Sequence, residues 1–361
     1  MTSKTPLSPQ PSAKAQYEKP PELYDGLRLH QNENTRGCSP RVIEALARLR
    51  PEQIGFYPPY AAVTESAARY FGVATDQVTL VNGLDEGIMA VAIGYLRPTA
   101  GSDLVPEAIV PEPAFEIFGF DTAVAGGRVV RVMPNADFRF AEEALLAAIT
   151  PQTRVVFITN PNNPTGVPVP IEAIRSVARR VPKEAVVFVD EAYAEFAGRS
   201  FIPELPQYPN VIVGRTFSKA FGLAGLRIGA LVGAPDTVDP ARFAIPVYSL
   251  NIAAVVALEA ALGDLAYVQE YTRQVQESKA LLYAACDRLG LKYWQSDANF
   301  VLVRVGDRIG EVIDGARARG VYLRDRSSEP GCEGCLRMGT GYVDHTQRGI
   351  SAIEEVLCGA R

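Results

Sequence analysis

Residues 215 to 229 read Arg-Thr-Phe-Ser-Lys-Ala-Phe-Gly-Leu-Ala-Gly-Leu-Arg-Ile-Gly. One lysine, Lys219, stands among small and apolar residues, with Thr216 and Ser218 before it and Arg227 after it. A lysine in such a setting can lose its proton and attack a carbonyl. The hydroxyls and the arginine beside it can hold a phosphate. Pyridoxal 5'-phosphate (PLP) needs both, offering an aldehyde to the lysine and a dianion to the rest. A solvated surface lysine in a loop after a strand would need no such company.

The run 211–215 that leads into this stretch is apolar and β-branched. Similar runs recur at 78–81, 108–110, 129–133, 155–159, 186–190 and 228–232. Helical stretches at 85–96, 115–123, 141–149 and 171–180 lie between most of them. Continuous apolar strands alternating with helices predict an α/β chain whose large domain has a mainly parallel seven-stranded sheet sandwiched by helices. Ligands of such sheets gather beyond the C-terminal strand ends. After residue 246 the pattern changes. Helices are expected at 253–262, 265–289, 309–318 and 346–357, with strands at 300–303 and 321–323, forming a smaller α+β domain. The expected division is a flexible arm at 1–21, a segment 22–45 that joins the small domain, a large domain at 46–246 and a small one at 247–361.

A net charge of −5 without any basic block argues against nucleic acid as a partner. No apolar run is long enough to span a bilayer, and residues 1–21 lack the apolar core of a signal peptide. Five cysteines, an odd number in a long chain, suit free thiols in a reducing cytoplasm. Cys332 and Cys335 form a lone CxxC, and the chain has two histidines, so two thiols in a loop are expected and no metal site.

Four motifs fall at predicted strand ends. Asn82-Gly-Leu-Asp-Glu-Gly87 opens a helix, where free backbone N–H groups at Leu84 and Asp85 make an anion site. The Asp85 carboxylate would repel a phosphate unless it turned away or accepted a cap bond. Phe115 is placed to stack on a flat ring. Asn160-Pro-Asn-Asn-Pro-Thr-Gly166 is a rigid turn with Asn163 at its tip, more elaborate than the next helix requires. Val186-Val-Phe-Val-Asp-Glu-Ala-Tyr193 delivers Asp190 from an apolar strand, where it can pair with a ring nitrogen and keep it protonated. Tyr193 is then placed for a phenolic oxygen on the same ring. Near the end, Arg324 and Arg337 flank a Gly/Cys loop and suit a substrate with two anionic groups.

Jointly and in this order, these motifs resemble the fold-type I aminotransferases, and most closely the histidinol-phosphate aminotransferase family, over residues 28 to 358. The resemblance implies that Lys219 bonds the PLP aldehyde and that Asp190 pairs with the pyridine nitrogen. Tyr193 and Asn163 then meet the phenolic oxygen, and Phe115 takes the stacking place, often tyrosine in the family. Thr216, Ser218, Arg227 and the backbone of Leu84 and Asp85 hold the phosphate. Tyr57, in the family's Tyr-Pro motif, reaches the partner subunit's site, which implies a homodimer with shared active sites. Asp297-Ala-Asn-Phe300 matches a small-domain strand, Arg337 the arginine that grips the substrate's acidic group, and Arg324 the one associated with the second anion.

One departure bears on substrate. The family's Asn-Glu-Asn-Pro-Tyr is here Asn32-Glu33-Asn34-Thr35-Arg36. The tyrosine that helps bind the phosphate end of histidinol phosphate is missing, and Arg36 stands near its place. Asn34 and Arg36 are candidate substrate ligands, with Arg36 either taking that phosphate or selecting another dicarboxylic or polar substrate. The implied reaction moves an amino group from a small-molecule donor to a 2-oxo acid, with histidinol phosphate and 2-oxoglutarate as the favoured pair. Alternatives are a transaminase of aromatic or other amino acids in the same subgroup, or a PLP decarboxylase of threonine phosphate. A PLP-binding regulatory module would need a DNA-binding domain, for which residues 1–27 are too short.

Overall fold

The computed structural model describes residues 25–98 and 104–359. The expected arm at 1–21 lies outside them. Strand β1 (Leu27–Arg28) comes first, followed by β2 (Val78–Val81), β3 (Glu107–Pro111), β4 (Arg128–Val132), β5 (Thr153–Thr159), β6 (Val186–Asp190), β7 (Val211–Thr216) and β8 (Gly229–Gly233). Strands β2 to β8 form one seven-stranded sheet in the order β2-β8-β7-β6-β5-β3-β4. All seven expected strands are in it. Pairing is parallel from β7 through β4, whereas β8 runs antiparallel to both neighbours, β7 and β2.

Side chains alternate across this sheet with the strand period of two. Val155, Phe157, Val186, Phe188 and Ile212 face one helical layer. Val156, Ile158, Val187, Val189, Val211 and Val213 face the other. The first layer includes helices Leu84–Leu96 and Ile252–Leu262, the second Ile171–Arg180. Because both faces are covered, the strands have no polar side and read as unbroken apolar runs. No single helix among the described residues is long and apolar enough to cross a membrane.

The C-terminal part adds β9 (Lys292–Tyr293), β10 (Phe300–Arg304), β11 (Val321–Tyr322), β12 (Arg324–Asp325) and β13 (Cys335–Gly339). The single strand expected at 321–323 is two. β11 pairs with β1, while β12 joins the antiparallel sheet β12-β13-β10-β9. The break falls at Leu323, whose buried side chain packs in the core beneath. The C-terminal helix begins at Val343, three residues before the expected start.

Strand direction places the site. All strands but β8 point the same way, so β8 returns from the edge at which β7 ends. The connecting loop, closed at its base by Phe217 N–H donating to the Ile228 carbonyl at 3.1 Å, therefore keeps Lys219 and Arg227 at one edge of the sheet. Register does the rest. Gly229 lies between Thr216 and Val81, and Asp190 lies between Thr159 and Gly214.

A buried ion network ties the ends of β6 and β7. Arg215 donates to Glu195 and lies 3.8 Å from Glu191. Tyr70 Oη also donates to Glu195, at 3.1 Å, and Glu191 accepts from Ser200 Oγ at 2.5 Å and Phe201 N–H at 2.6 Å. Removing one partner from such a network strands the others without solvent. Arg215→Met, which leaves both carboxylates buried, is expected to lower unfolding free energy by about 3–5 kcal/mol. Glu195→Gln, which keeps the shape, is expected to cost less. Urea unfolding of both variants checks this, and a loss below about 1 kcal/mol for Arg215→Met would refute it.

Candidate active site

Beyond the edge where β5, β6 and β7 end, the loops bring Asp190, Tyr193, Asn163, Thr216, Ser218 and Lys219 together with Arg337 from β13. The Asp190 carboxyl is buried, and Oδ1 accepts from Ala192 N–H at 2.9 Å. Burial pushes its pKa up to about 7, the Ala192 bond opposes this, and the Asp85 charge adds to it. Burial thus favours the neutral acid, and a cation beside it would favour the carboxylate. Burial and the Arg337 guanidinium push the Lys219 amine down to about 8. A protonatable base near neutrality thus faces an acid near neutrality.

The segment 29–34 lies between the two sheets, and its backbone is held from all sides. The carbonyls of Leu29, His30, Gln31, Asn32 and Glu33 accept in turn from Gly339 N–H at 2.7 Å, Arg337 Nη2 at 2.8 Å, Lys219 Nζ at 2.9 Å, Asn299 Nδ2 at 3.1 Å and Tyr271 Oη at 3.2 Å. Asn32 Nδ2 donates to Tyr193 Oη at 3.0 Å, and Asn34 Nδ2 to the Ala220 carbonyl at 3.3 Å. Tyr193 meets Phe300 edge-on with ring centroids 5.1 Å apart.

The other end of the cleft is the helix start at Leu84. Gly83 has φ +78°, and a Cβ there would lie 2.4 Å from Arg227 Nη2. At Gly229 a Cβ would lie 2.9 Å from Leu84 N. Both glycines are required for this close approach. The Asp85 carboxylate caps no N–H of its own helix; Oδ2 accepts from Arg227 Nη2 at 2.9 Å. That answers the repulsion expected of Asp85, because its charge is matched by the arginine assigned to the same anion. Arg227 itself has φ +53°, a sparsely populated conformation for a side-chain-bearing residue. Thr216 Oγ1 accepts from Ser218 N–H at 3.2 Å, and both residues are buried.

Asn163 Oδ1 accepts from Arg337 Nη1, which joins the Asn/Pro loop to the small sheet. Arg324 opposes Arg337 across β12 and β13. Phe115 is half-buried, edge-on to Phe118 at 6.1 Å. Two residues are not drawn in. Arg36, expected beside the substrate, donates to both oxygens of Asp344 at 3.1 and 3.2 Å and lies 4.0 Å over the Tyr342 ring. An arginine offered a carboxylate and an aromatic face is held there rather than in the cleft. Tyr57 lies on the surface, stacked on Tyr248 at 4.1 Å. Sequence reasoning missed Asn32, Asn299, His30 and Arg326. The polar run 30–36 was the available signal for the first and third, the Asp297-Ala-Asn-Phe300 match for Asn299, and the second arginine of Arg324-Asp-Arg326 for the last.

The raised Asp190 pKa has a consequence for stability without cofactor. A group whose folded pKa lies above its unfolded value near 3.8 stabilises fully below that value. Its contribution is lost as pH rises toward about 7. In cofactor-free protein, Asp190→Asn is therefore expected to be more stable than wild type at pH 8, by about 1–3 kcal/mol. The gain is expected to vanish near pH 4. Urea unfolding at the two pH values checks it, and no gain at pH 8 would refute the uncompensated burial.

Comparison with known proteins agrees with this geometry. A family model described as aminotransferase class I and II matches residues 24–353. A histidinol-phosphate aminotransferase of Symbiobacterium thermophilum is 38% identical over 339 residues, 93% of this chain and 91% of that protein. One from Moorella thermoacetica is 35% identical over 340 residues, 92% of this chain and 86% of that protein. Among solved structures, histidinol-phosphate aminotransferase from Sinorhizobium meliloti in complex with pyridoxal-5'-phosphate superposes with a TM-score of 0.83 at 26% identity, covering 93% of this chain and 92% of that one. The likeness takes in both sheets and the segment between them, and the chain belongs to the aminotransferase class I and II family.

Proposed function

We propose that this chain is a PLP-dependent aminotransferase of the histidinol-phosphate type, moving an amino group between a small-molecule donor and a 2-oxo acid. The observation that carries the reading is the meeting of Lys219 and the buried Asp190 at one sheet edge, with Tyr193, Asn163 and Arg337 beside them. The residues present fit PLP. The buried Asp190 accepts from Ala192 N–H, and among the described residues no cation lies within ion-pair distance of it, which suits a protonated ring nitrogen. The glycines at 83 and 229 leave room for an anion against the helix start.

In this reading Lys219 bonds the cofactor aldehyde, Asp190 takes the ring nitrogen, and Tyr193 and Asn163 take the hydroxyl edge. Phe115 covers one ring face. Thr216, Ser218, Arg227 and the backbone of Leu84 and Asp85 hold the phosphate. When bound, PLP supplies the electron sink for bond breaking at the donor's Cα. Lys219 Nζ would then serve as the base that takes the donor's Cα proton and as the acid that gives a proton back. Its depressed pKa suits both directions of transfer. Tyr193 Oη accepts from Asn32 Nδ2, which would leave its own proton free for the cofactor's hydroxyl edge. Arg337 orients the substrate's acidic group, and Arg324 is the proposed ligand of the second anion, with Asn34 holding the lysine loop at Ala220. Arg36, engaged by Asp344, has no part in it.

The proposed enzyme is a homodimer with shared sites. Phe56, Tyr57, Val247 and Tyr248 form an exposed apolar patch, with Tyr57 75% and Val247 81% accessible. Aromatic residues exposed together mark an association surface. We place the enzyme in the cytoplasm, in keeping with five cysteines that form no disulfide.

Borohydride reduction of the holoenzyme followed by peptide mapping is expected to label Lys219, and label on another lysine would end the reading. A donor panel of histidinol phosphate, glutamate and phenylalanine, scored by loss of the cofactor's visible absorption, is expected to rank histidinol phosphate first. Mixing Tyr57→Phe with Lys219→Ala subunits tests the shared site. Heterodimers are expected to carry one intact and one doubly damaged site, whereas identical behaviour of both sites would refute the cross-subunit role.

A further inference from the structure

Three arginines share one face of the small sheet. Arg324 opposes Arg337, and Arg326 N–H donates to the Cys335 carbonyl at 2.9 Å, continuing the β12–β13 ladder by one residue. Side chains alternate, so Arg324, Arg326 and Arg337 point the same way. Leu336 and Met338 point to the opposite side and pack in the small core. The arginine face is the one from which Arg337 reaches Asn163 and the His30 carbonyl, and so it faces the cleft.

Arg326 is the buried member not yet given a task. Its side chain is 7% accessible, and it pairs with Glu329, whose side chain is 10% accessible. Glu329 stands three residues on, across a turn closed by its N–H donating to the Arg326 carbonyl at 3.0 Å. The pair is only half satisfied. Arg326 Nε and Glu329 Oε2 are both buried without a hydrogen-bond partner. A buried ion pair gains over solvation only when its remaining donors and acceptors are also met. Arg337 and Arg324 press on the same guanidinium, which together with burial lowers its pKa to about 9. Its charge is felt in turn at Tyr193 Oη and by Glu116, the neighbour of Phe115. Among the described residues no carboxylate lies within ion-pair distance of Arg324. This face therefore carries two arginines, the buried Arg326 and the half-buried Arg324, against one paired acid at Glu329.

We propose that Arg326 is a specificity-determining residue that reads the distal anion of the amino donor, with Glu329 as its resting partner. The proposal rests on the aminotransferase reading of the cleft. A donor with no distal charge leaves Arg326 on Glu329. A donor with a distal carboxylate or phosphate takes the guanidinium fork away from Glu329 and supplies the acceptor that Nε lacks. No covalent step is involved, only an exchange of one anion for another. Arg36, tied to Asp344, is not needed for this recognition.

The test compares first half-reactions of the holoenzyme with three donors, followed by the change in cofactor absorption on mixing. Glutamate carries a distal carboxylate, histidinol phosphate a phosphate, and phenylalanine neither. The quantity read is the ratio of apparent second-order rate constants, charged donor over phenylalanine. Arg326→Gln is expected to lower that ratio by about 10- to 100-fold, as loss of a charged hydrogen bond does. Glu329→Gln, which frees Arg326, is expected to raise it. The double variant, which leaves no unpaired buried charge if the single variant folds poorly, is expected to follow Arg326→Gln. A fall confined to histidinol phosphate supports a phosphate as the anion read, and a fall confined to glutamate supports a carboxylate. Equal losses on all three donors overturn the proposal, because a purely structural residue does that. So does a Glu329→Gln rise that persists without Arg326. A wild-type holoenzyme silent to all three donors instead overturns the aminotransferase reading, and the proposal with it.

Discussion

Five consecutive backbone carbonyls, from Leu29 to Glu33, have to be satisfied, and a strand reaches only the first of them. The segment runs between the two sheets, and a buried carbonyl without a donor costs as much as a lost hydrogen bond. The donors recruited are an N–H of β13, two side chains of the small sheet region, a helix tyrosine and the Lys219 amine. This one requirement draws the large sheet's lysine loop and the small sheet's arginine to the same few residues. It also means that Lys219 and Arg337 already have partners. Ligands here displace internal acceptors, so their binding is an exchange whose strength is a difference between two sets of bonds.

Electrostatics in the cleft follows from the same burial. Desolvation moves the acid at 190 up and the amine at 219 down, and each ends near neutrality. Neither has to be neutralised by a dedicated ion pair of its own. Charge is kept instead at the rim, where Arg227 has Asp85 and Arg36 has Asp344, and in the buried pair of Arg326 with Glu329. The deeper Arg215 network is different in kind. It touches no ligand position and holds the ends of β6 and β7 together, fixing the separation of Asp190 from Thr216.

Much of this was legible in the chain. Seven apolar runs gave the large sheet because both of its faces are covered, and strands with no polar side are hard to misread. The residues that meet at the sheet edge were legible because each follows such a run directly. What escaped is what depends on docking. β1 is two residues, too short to carry a periodic signal, and exists because it pairs with β11. Arg36 and Asp344 are 308 positions apart, and nothing near either one announces the other. Asn32 looked like part of a polar loop, yet it steadies Tyr193 across 161 positions. The run 321–323 reads as one strand, and it is two. The burial of Leu323 beneath the sheet is what lets the chain change partners there.

The reversed strand β8 gives the lysine loop two footings on the same rim. Its amine is located by a short arch anchored in the large sheet, while the arginines that would meet a substrate sit on β12 and β13, a separate and smaller sheet. Machinery common to every turnover and the apparatus that sorts one molecule from another thus occupy different structural members. Arg337 reaches back to Asn163 and Lys219, so Arg324, which makes no such bond, is the position at which a chain of this build can change diet while keeping its chemistry.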